Sequence, residues 1–255
     1  MGGVSTGAFI RGVSGVPDSG LLFQSAIPFI LAGGTATNQF TVNSAGLVTA
    51  LPTLPITSGF AFFYLPSGVT GTAGWYYAQV VSATSVQLYT ARYTSGDPRL
   101  AVPTVLVVQS TTAGNYSQLL TPITIYQYTL PGGSMGPNGS LRTWHLFIHT
   151  TAGTAGASGA TFGGTAYIGQ GLPVNTPNVG QIGFQSSITN RNTAARQFAP
   201  TAMGDVGNNS NISNQFGLFT VNTALDVPMA ATLQLNDPTS VALLAVVRFE
   251  VLYGA

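Results

Sequence analysis

Cysteine is absent from all 255 residues. That excludes a disulfide scaffold and thiolate metal sites, and it leans towards folding in a reducing cytoplasm. Charge is nearly absent too: only 5% of residues carry one, against about a quarter in an ordinary soluble domain. Lysine does not occur, so all 7 basic residues are arginine. With a net charge of +1 there is no electrostatic footprint for nucleic acid and no basic patch for an anionic membrane. No apolar run approaches the length of a membrane span. Met1 to Thr6 has neither the charged region nor the apolar run of a secretion signal, so none is expected. A surface this neutral lacks the charge that keeps single chains apart. The simplest account is that partner chains cover much of it. The alternative is a secreted monomer coated in Thr, Ser and Asn.

What the chain does have is punctuation. Its 32 glycines and 15 prolines are scattered, which suits many short strands and argues against long helices. The stretch from Tyr126 to Thr150 shows the pattern best. Tyr126, Tyr128 and Leu130 alternate with polar residues, as on a half-buried strand. Pro131-Gly132-Gly133 stops that strand, and Pro137-Asn138-Gly139 signals a tight reversal. Leu141 to Ile148 then resumes as a strand. It sets Leu141, Thr143, His145 and Phe147 on one face and Arg142, Trp144, Leu146 and Ile148 on the other.

The expected organisation is an N-terminal arm over 1–38, a small β module over 39–99 and a β-sandwich over 100–255. Phe9-Ile10, Leu21-Leu22-Phe23 and Ile27 to Leu31 are apolar islands too glycine-broken to fold alone. They are either strands of the main sheet or an arm docked on a neighbour. In the arm reading the interface is Phe9, Ile10, Arg11, Leu21, Leu22, Phe23, Phe29 and Ile30. In the module, Trp75, Tyr76 and Tyr77 are either a stacking platform for a sugar or a strand alternating between core and surface. Thr94 to Pro98 is the expected linker, and Val102 to Gln109 an expected strand. Thr150 to Gly164 is expected as a long exposed Thr/Ala/Gly loop. Strands are expected again near Tyr167, Gln181 to Thr189, Phe216 to Asn222, Met229 to Leu235 and Leu243 to Tyr253. From Val102 onward this makes about eight strands, the complement of a jelly roll. The fold class is therefore all-β: a jelly-roll-like antiparallel β-sandwich preceded by the small module and the arm.

Reaction chemistry is sparse. The carboxylates are Asp18, Asp97, Asp205, Asp226, Asp237 and Glu250. Asp97 and Asp237 precede proline in turns, and no motif pairs the others as a glycosidase would need. His145 and His149 share a strand face but have no carboxylate or thiolate near them in sequence, so no metal or other cofactor is expected. No nucleophile elbow, phosphate loop or dinucleotide fingerprint occurs. The expectation is a protein that is not an enzyme.

Three stretches resemble tailed-bacteriophage virion proteins: Leu130 to Arg142 (LPGGSMGPNGSLR), Asn190-Arg191-Asn192, and the closing hairpin from Leu233-Gln234-Leu235-Asn236-Asp237 to Glu250-Val251-Leu252. The module from Gly46 to Tyr77 resembles a small β unit of phage head and tail appendages. The resemblance implies a jelly-roll capsid decoration or cement protein, a homotrimer that bridges capsomers. Its partner would be the major capsid protein, and its place the capsid exterior of a virion assembled in the host cytoplasm. The alternative it implies is a tail-fibre or receptor-binding module that contacts host surface glycans.

Overall fold

The computed structural model describes residues 19–25, 27–32, 40–93, 106–116, 122–150, 157–171, 179–205, 214–235 and 241–254. Among the described residues strands dominate, with one helical turn at Ser67–Thr70. β1 (Ser19–Ser25) comes first. Short strands follow: β2 (Phe29–Ala32), β3 (Phe40–Val42), β4 (Leu47–Thr49), β5 (Gly59–Leu65), β6 (Gly74–Ser82), β7 (Ser85–Arg92) and β8 (Gly114–Tyr116). Next come β9 (Ile123–Leu130), β10 (Ser140–Thr150), β11 (Ala157–Phe162), β12 (Thr165–Gly171) and β13 (Val179–Asn190). The chain closes with β14 (Gln197–Asp205), β15 (Asn214–Phe219), β16 (Val227–Gln234) and β17 (Val241–Leu252).

The smaller sheet has the order β12-β11-β16-β9. The larger runs β15-β14-β13-β10-β17-β2-β5-β6-β7-β4-β3-β8, with β1 also on β17. β17 is the hub. Its full length pairs with β10 on one side. On the other side β1 takes its C-terminal half, with Ser19 opposite Leu252, and β2 its N-terminal half, with Phe29 opposite Leu244. Take β1, β9, β10, β11, β12, β13, β16 and β17 as first to eighth. One sheet then reads first, eighth, third, sixth, and the other second, seventh, fourth, fifth. That interleaving is a jelly roll. β14 and β15 extend one of its sheets. β2 to β8 form a module inserted between the first and second strands of the roll.

Alternation explains the layers. On β10, Leu141, Thr143, His145 and Phe147 are buried, while Arg142 is exposed. The facing β16 buries Val227, Met229, Ala231 and Leu233 in the same rhythm. The opening of β17, Val241–Leu244, is buried on both faces, which accounts for its unbroken apolar run. A bulge opposite Leu146 and Phe147 then resets the strand, and Val247, Phe249 and Val251 turn inward. Two cores result. Phe29, Leu31, Phe62, Trp75 and Tyr77 join the core of the roll. Ile30, Ala32, Phe63, Tyr76 and Leu243, from the same strands, close the core of the module.

Several expectations change. Over its described residues the N-terminal arm is part of the fold. Phe29 and Ile30 are each 0% exposed in the chain's own core, so neither is available to a partner. Leu21, Leu22 and Phe23 lie in β1, the first strand of the roll. The physical reason is long-range pairing: both strands find their backbone partner in β17, at the far end of the chain. Phe9, Ile10 and Arg11 lie outside the described residues.

The boundary at 99/100 moves as well. Thr90 N–H donates to Val107 O (2.8 Å), Gln109 N–H donates to Leu88 O (3.1 Å), and β8 pairs with β3. Residues 106–116 therefore belong to the module, and among the described residues of the expected strand, 106–109, a Tyr89–Val108 bridge is present. Part of the expected Thr/Ala/Gly loop is β11, where Ser158, Ala160 and Phe162 are buried. β14 is a strand that the sequence pattern did not announce.

Candidate functional site

The corner at Pro131 to Gly139 carries the chain from β9 in one sheet to β10 in the other. It is pinned by groups distant in sequence. Gly132 N–H donates to Asp226 Oδ1 (2.8 Å). Gly254 N–H donates to Met135 O (3.1 Å), and Asn190 N–H to Gly139 O (2.9 Å). Asn190 Nδ2 donates to Gly136 O (2.5 Å) and to Thr223 Oγ1 (2.8 Å). Asn192, at φ 58, gives its N–H to Asn138 Oδ1 (3.2 Å). Asparagine tolerates that left-handed backbone better than most residues. Gly139 has no room for a side chain, because a Cβ there would run into Met135 O and Leu252 O. The stretches around Leu130 to Arg142, Asn190 to Asn192 and the chain's closing strand thus meet at one end of the roll.

The hairpin from β13 to β14 and the segment after β15 shape a cavity of about 450 Å³ at this end. Its floor is Gln197, 1% exposed, and Phe219, 4% exposed. Gln197 is held on all sides. Its Oε1 accepts from Val221 N–H (3.1 Å), and its Nε2 lies 2.9 Å from Asn190 Oδ1, Ala194 O and Val221 O. Phe219 meets Phe162 edge to face at 6.1 Å. Arg191, Asn192, Arg196, Leu218 and Thr220 line the walls. Both arginines are exposed, and Arg191 N–H donates to Arg196 O (2.9 Å), which holds the two residues side by side. Among the described residues no carboxylate pairs with either guanidinium; the ion pair there is Arg248–Glu250 (3.8 Å). Sequence reasoning named Asn190-Arg191-Asn192 but missed the pocket. Arg196 and Leu218 come together only through the register in which Gln197 pairs with Phe219.

The sugar platform at Trp75, Tyr76 and Tyr77 does not form. These residues are 5%, 3% and 0% exposed. β6 lies between two cores, so both faces of the triplet are covered. Trp75 Nε1 donates to Thr124 O (2.8 Å) and ties the module to the roll.

His145 is a core residue. Tyr126 Oη and His145 Nε2 are 2.6 Å apart, and the ring stacks near Phe147. Burial pushes its pKa down to about 3, so the imidazole is neutral at ordinary pH. His149 lies at the end of the same strand, and its side chain is outside the described residues. Among the described residues no group of three His, Cys, Asp or Glu is placed to hold a metal. Asp226 is engaged by the corner and Glu250 by Arg248.

No family model matches this chain, and no curated protein does. Among solved structures it is similar to the CBM2 module of the evolved Dit of Lactobacillus casei BL23 phage J-1. That likeness has 9% identity, covers 94% of this chain and 99% of that one, and has a TM-score of 0.36. Lectin I from Ulex europaeus, in complex with the methyl glycoside of alpha-L-fucose, is similar at 10% identity over 89% of this chain and 98% of its own, TM-score 0.29. The infectious bursal disease virus Gt strain structure matches at 12% identity over 92% of this chain and 66% of its own, TM-score 0.20. Likenesses of this degree carry no functional weight.

Proposed function

We propose that the chain is a structural protein of a tailed-bacteriophage virion, one that decorates the capsid exterior and cements it by bridging capsomers. The observation that carries this reading is the convergence at the cornered end of the roll. The stretches that resemble phage virion proteins are far apart in sequence, yet Asn190 bonds Gly136 and Gly139, and Gly254 bonds Met135. The charge-poor composition supports it as well, since contact with neighbours would cover a surface that has little repulsion of its own. Jelly rolls serve capsids and lectins alike, so the fold by itself selects neither.

The mechanism is mechanical. A rigid, all-β body spreads contacts over several capsomers, so that internal pressure must break many at once. A homotrimer fits this reading, with closed symmetry covering the neutral faces. Sedimentation at micromolar concentration tests it: a trimer is expected, and a concentration-independent monomer contradicts it. Binding of the purified chain to undecorated heads tests cementing itself. Added protein should saturate on the heads and raise the temperature at which they release DNA. The proposal also implies no hydrolysis of host polysaccharide. Reducing-end release above a heat-killed control, lost on Asp205→Asn or Asp226→Asn, would overturn that part.

A further inference from the structure

We infer that the pocket between Arg191 and Arg196 binds an acidic sugar through its carboxylate. This goes beyond the structural role, and it does not depend on whether the protein sits on the head or the tail.

Charge is the first argument. The chain has only 7 basic residues, and two of them line one cavity with no acid among its lining residues. Their backbones are bonded side by side, and each guanidinium offers paired N–H donors that suit a carboxylate. Rigidity is the second. The hairpin that carries them is fixed from beneath by the Gln197 amide and from behind by Asn190 and Asn138. Binding therefore costs little ordering of the backbone.

The shape selects a sugar over a bare anion. A cavity of about 450 Å³ is far larger than a carboxylate needs, and it lies within the usual range for small-molecule sites. Leu218 is 76% exposed on its wall, an apolar surface against which the C–H face of a pyranose can lie. Asn192 and Thr220 supply polar groups for ring hydroxyls. A second copy of this chain is a poor source of the carboxylate. It has 6 acidic residues, of which Asp226 and Glu250 already have partners.

The test is an NMR titration of the full chain with sodium glucuronate, N-acetylneuraminate, glucose, acetate and a short polyglutamate peptide. At least one acidic sugar is expected to shift resonances of the Asn190 to Gln197 hairpin, more tightly than acetate and the peptide, with glucose inert. Raising the salt should weaken it. Arg191→Ala with Arg196→Ala should weaken acidic-sugar binding by about tenfold or more. Leu218→Ala should weaken the sugar but leave acetate unchanged. All three side chains are exposed, so the variants should melt like the parent. The inference is overturned if no acidic sugar binds, if acetate or the peptide binds as tightly, if glucose binds as well as glucuronate, or if the double variant binds unchanged.

Discussion

The two cores share β2, β5, β6 and β17, yet they bury different chemistry. The core of the module is built from Ile30, Phe40, Phe63, Val80, Leu88 and Val241. Its phenol among the described residues, Tyr76, sends its hydroxyl to the rim, where it donates to Thr72 O (2.9 Å) and accepts from Thr70 Oγ1 (2.7 Å). The core of the roll packs Phe147, Phe184 and Phe249, but sets Thr143, His145 and Ser158 among them. His145 Nδ1 and Ser158 Oγ have no hydrogen-bond partner among the described residues. The module is thus held by apolar volume, whereas the roll also depends on the protonation state of one imidazole. The strands between the cores make them one unit, because each presents alternate side chains to both.

The sharpest way to break that unity is to delete Met1 to Ala32. The deletion removes β1, the first strand of the roll, and β2, which joins the module to β17. Cooperative folding should be lost, as read by circular dichroism during heating. A truncated protein with the parent's melting transition would show that the two strands are dispensable.

A milder break is Phe29→Ala. Phe29 contacts Phe62 at 5.2 Å and Trp75 at 5.3 Å where the module meets the roll. The loss should be about 3–5 kcal/mol in denaturant melts. Trp75 fluorescence should follow the same transition as Trp144, because the regions unfold together.

These two predictions turn on what sequence could not convey. The strand–corner–strand from Tyr126 to Thr150 was legible because alternation and turn chemistry are local. The faces of Leu141 to Ile148 stand as expected, and so do the all-β class and the sandwich. The first strand stood as one of two readings beside the docked arm, because its partner β17 lies at the opposite end of the chain. β11 was hidden because Ala, Gly, Ser and Thr give little hydrophobic contrast, and only the facing sheet defines an inside. Trp75 to Tyr77 looked like a half-exposed strand; the inserted module covers its second face. Arg191 was visible within Asn190-Arg191-Asn192, but its partnership with Arg196 and Leu218 is a matter of register and hairpin geometry.

Acid should act on the fold through the core of the roll. His145 keeps its neutral form in the folded state down to about pH 3, while its unfolded pKa is near 6.5. Between those values the unfolded chain binds the extra proton. The contribution is therefore complete above about pH 6.5 and is lost as the pH falls towards 3, on the order of a few kcal/mol in total. Denaturant melts should show the stability of the whole unit falling between pH 6.5 and pH 4. His145→Gln retains a partner for Tyr126 and should flatten this dependence. A parent stability that does not fall with acid, or an unchanged slope in the variant, would contradict the assignment.

The smallest effect concerns the corner. Gly139→Ala forces a methyl against Met135 O and Leu252 O and should cost about 1–3 kcal/mol. Gly71→Ala, at a positive φ with open space around it, meets only a backbone cost, whereas Gly139→Ala meets a steric one. Gly71→Ala in the module should therefore destabilise less than Gly139→Ala, by differential scanning calorimetry.

The central claim is that this jelly roll is a building part of a virus particle. Quantitative mass spectrometry of purified virions, with cryo-electron microscopy of the same particles, measures it directly. The account predicts many copies, in fixed proportion to the major capsid protein, and density for trimers seated across capsomer boundaries. Absence from the particle, or a few copies confined to the tail, would contradict it.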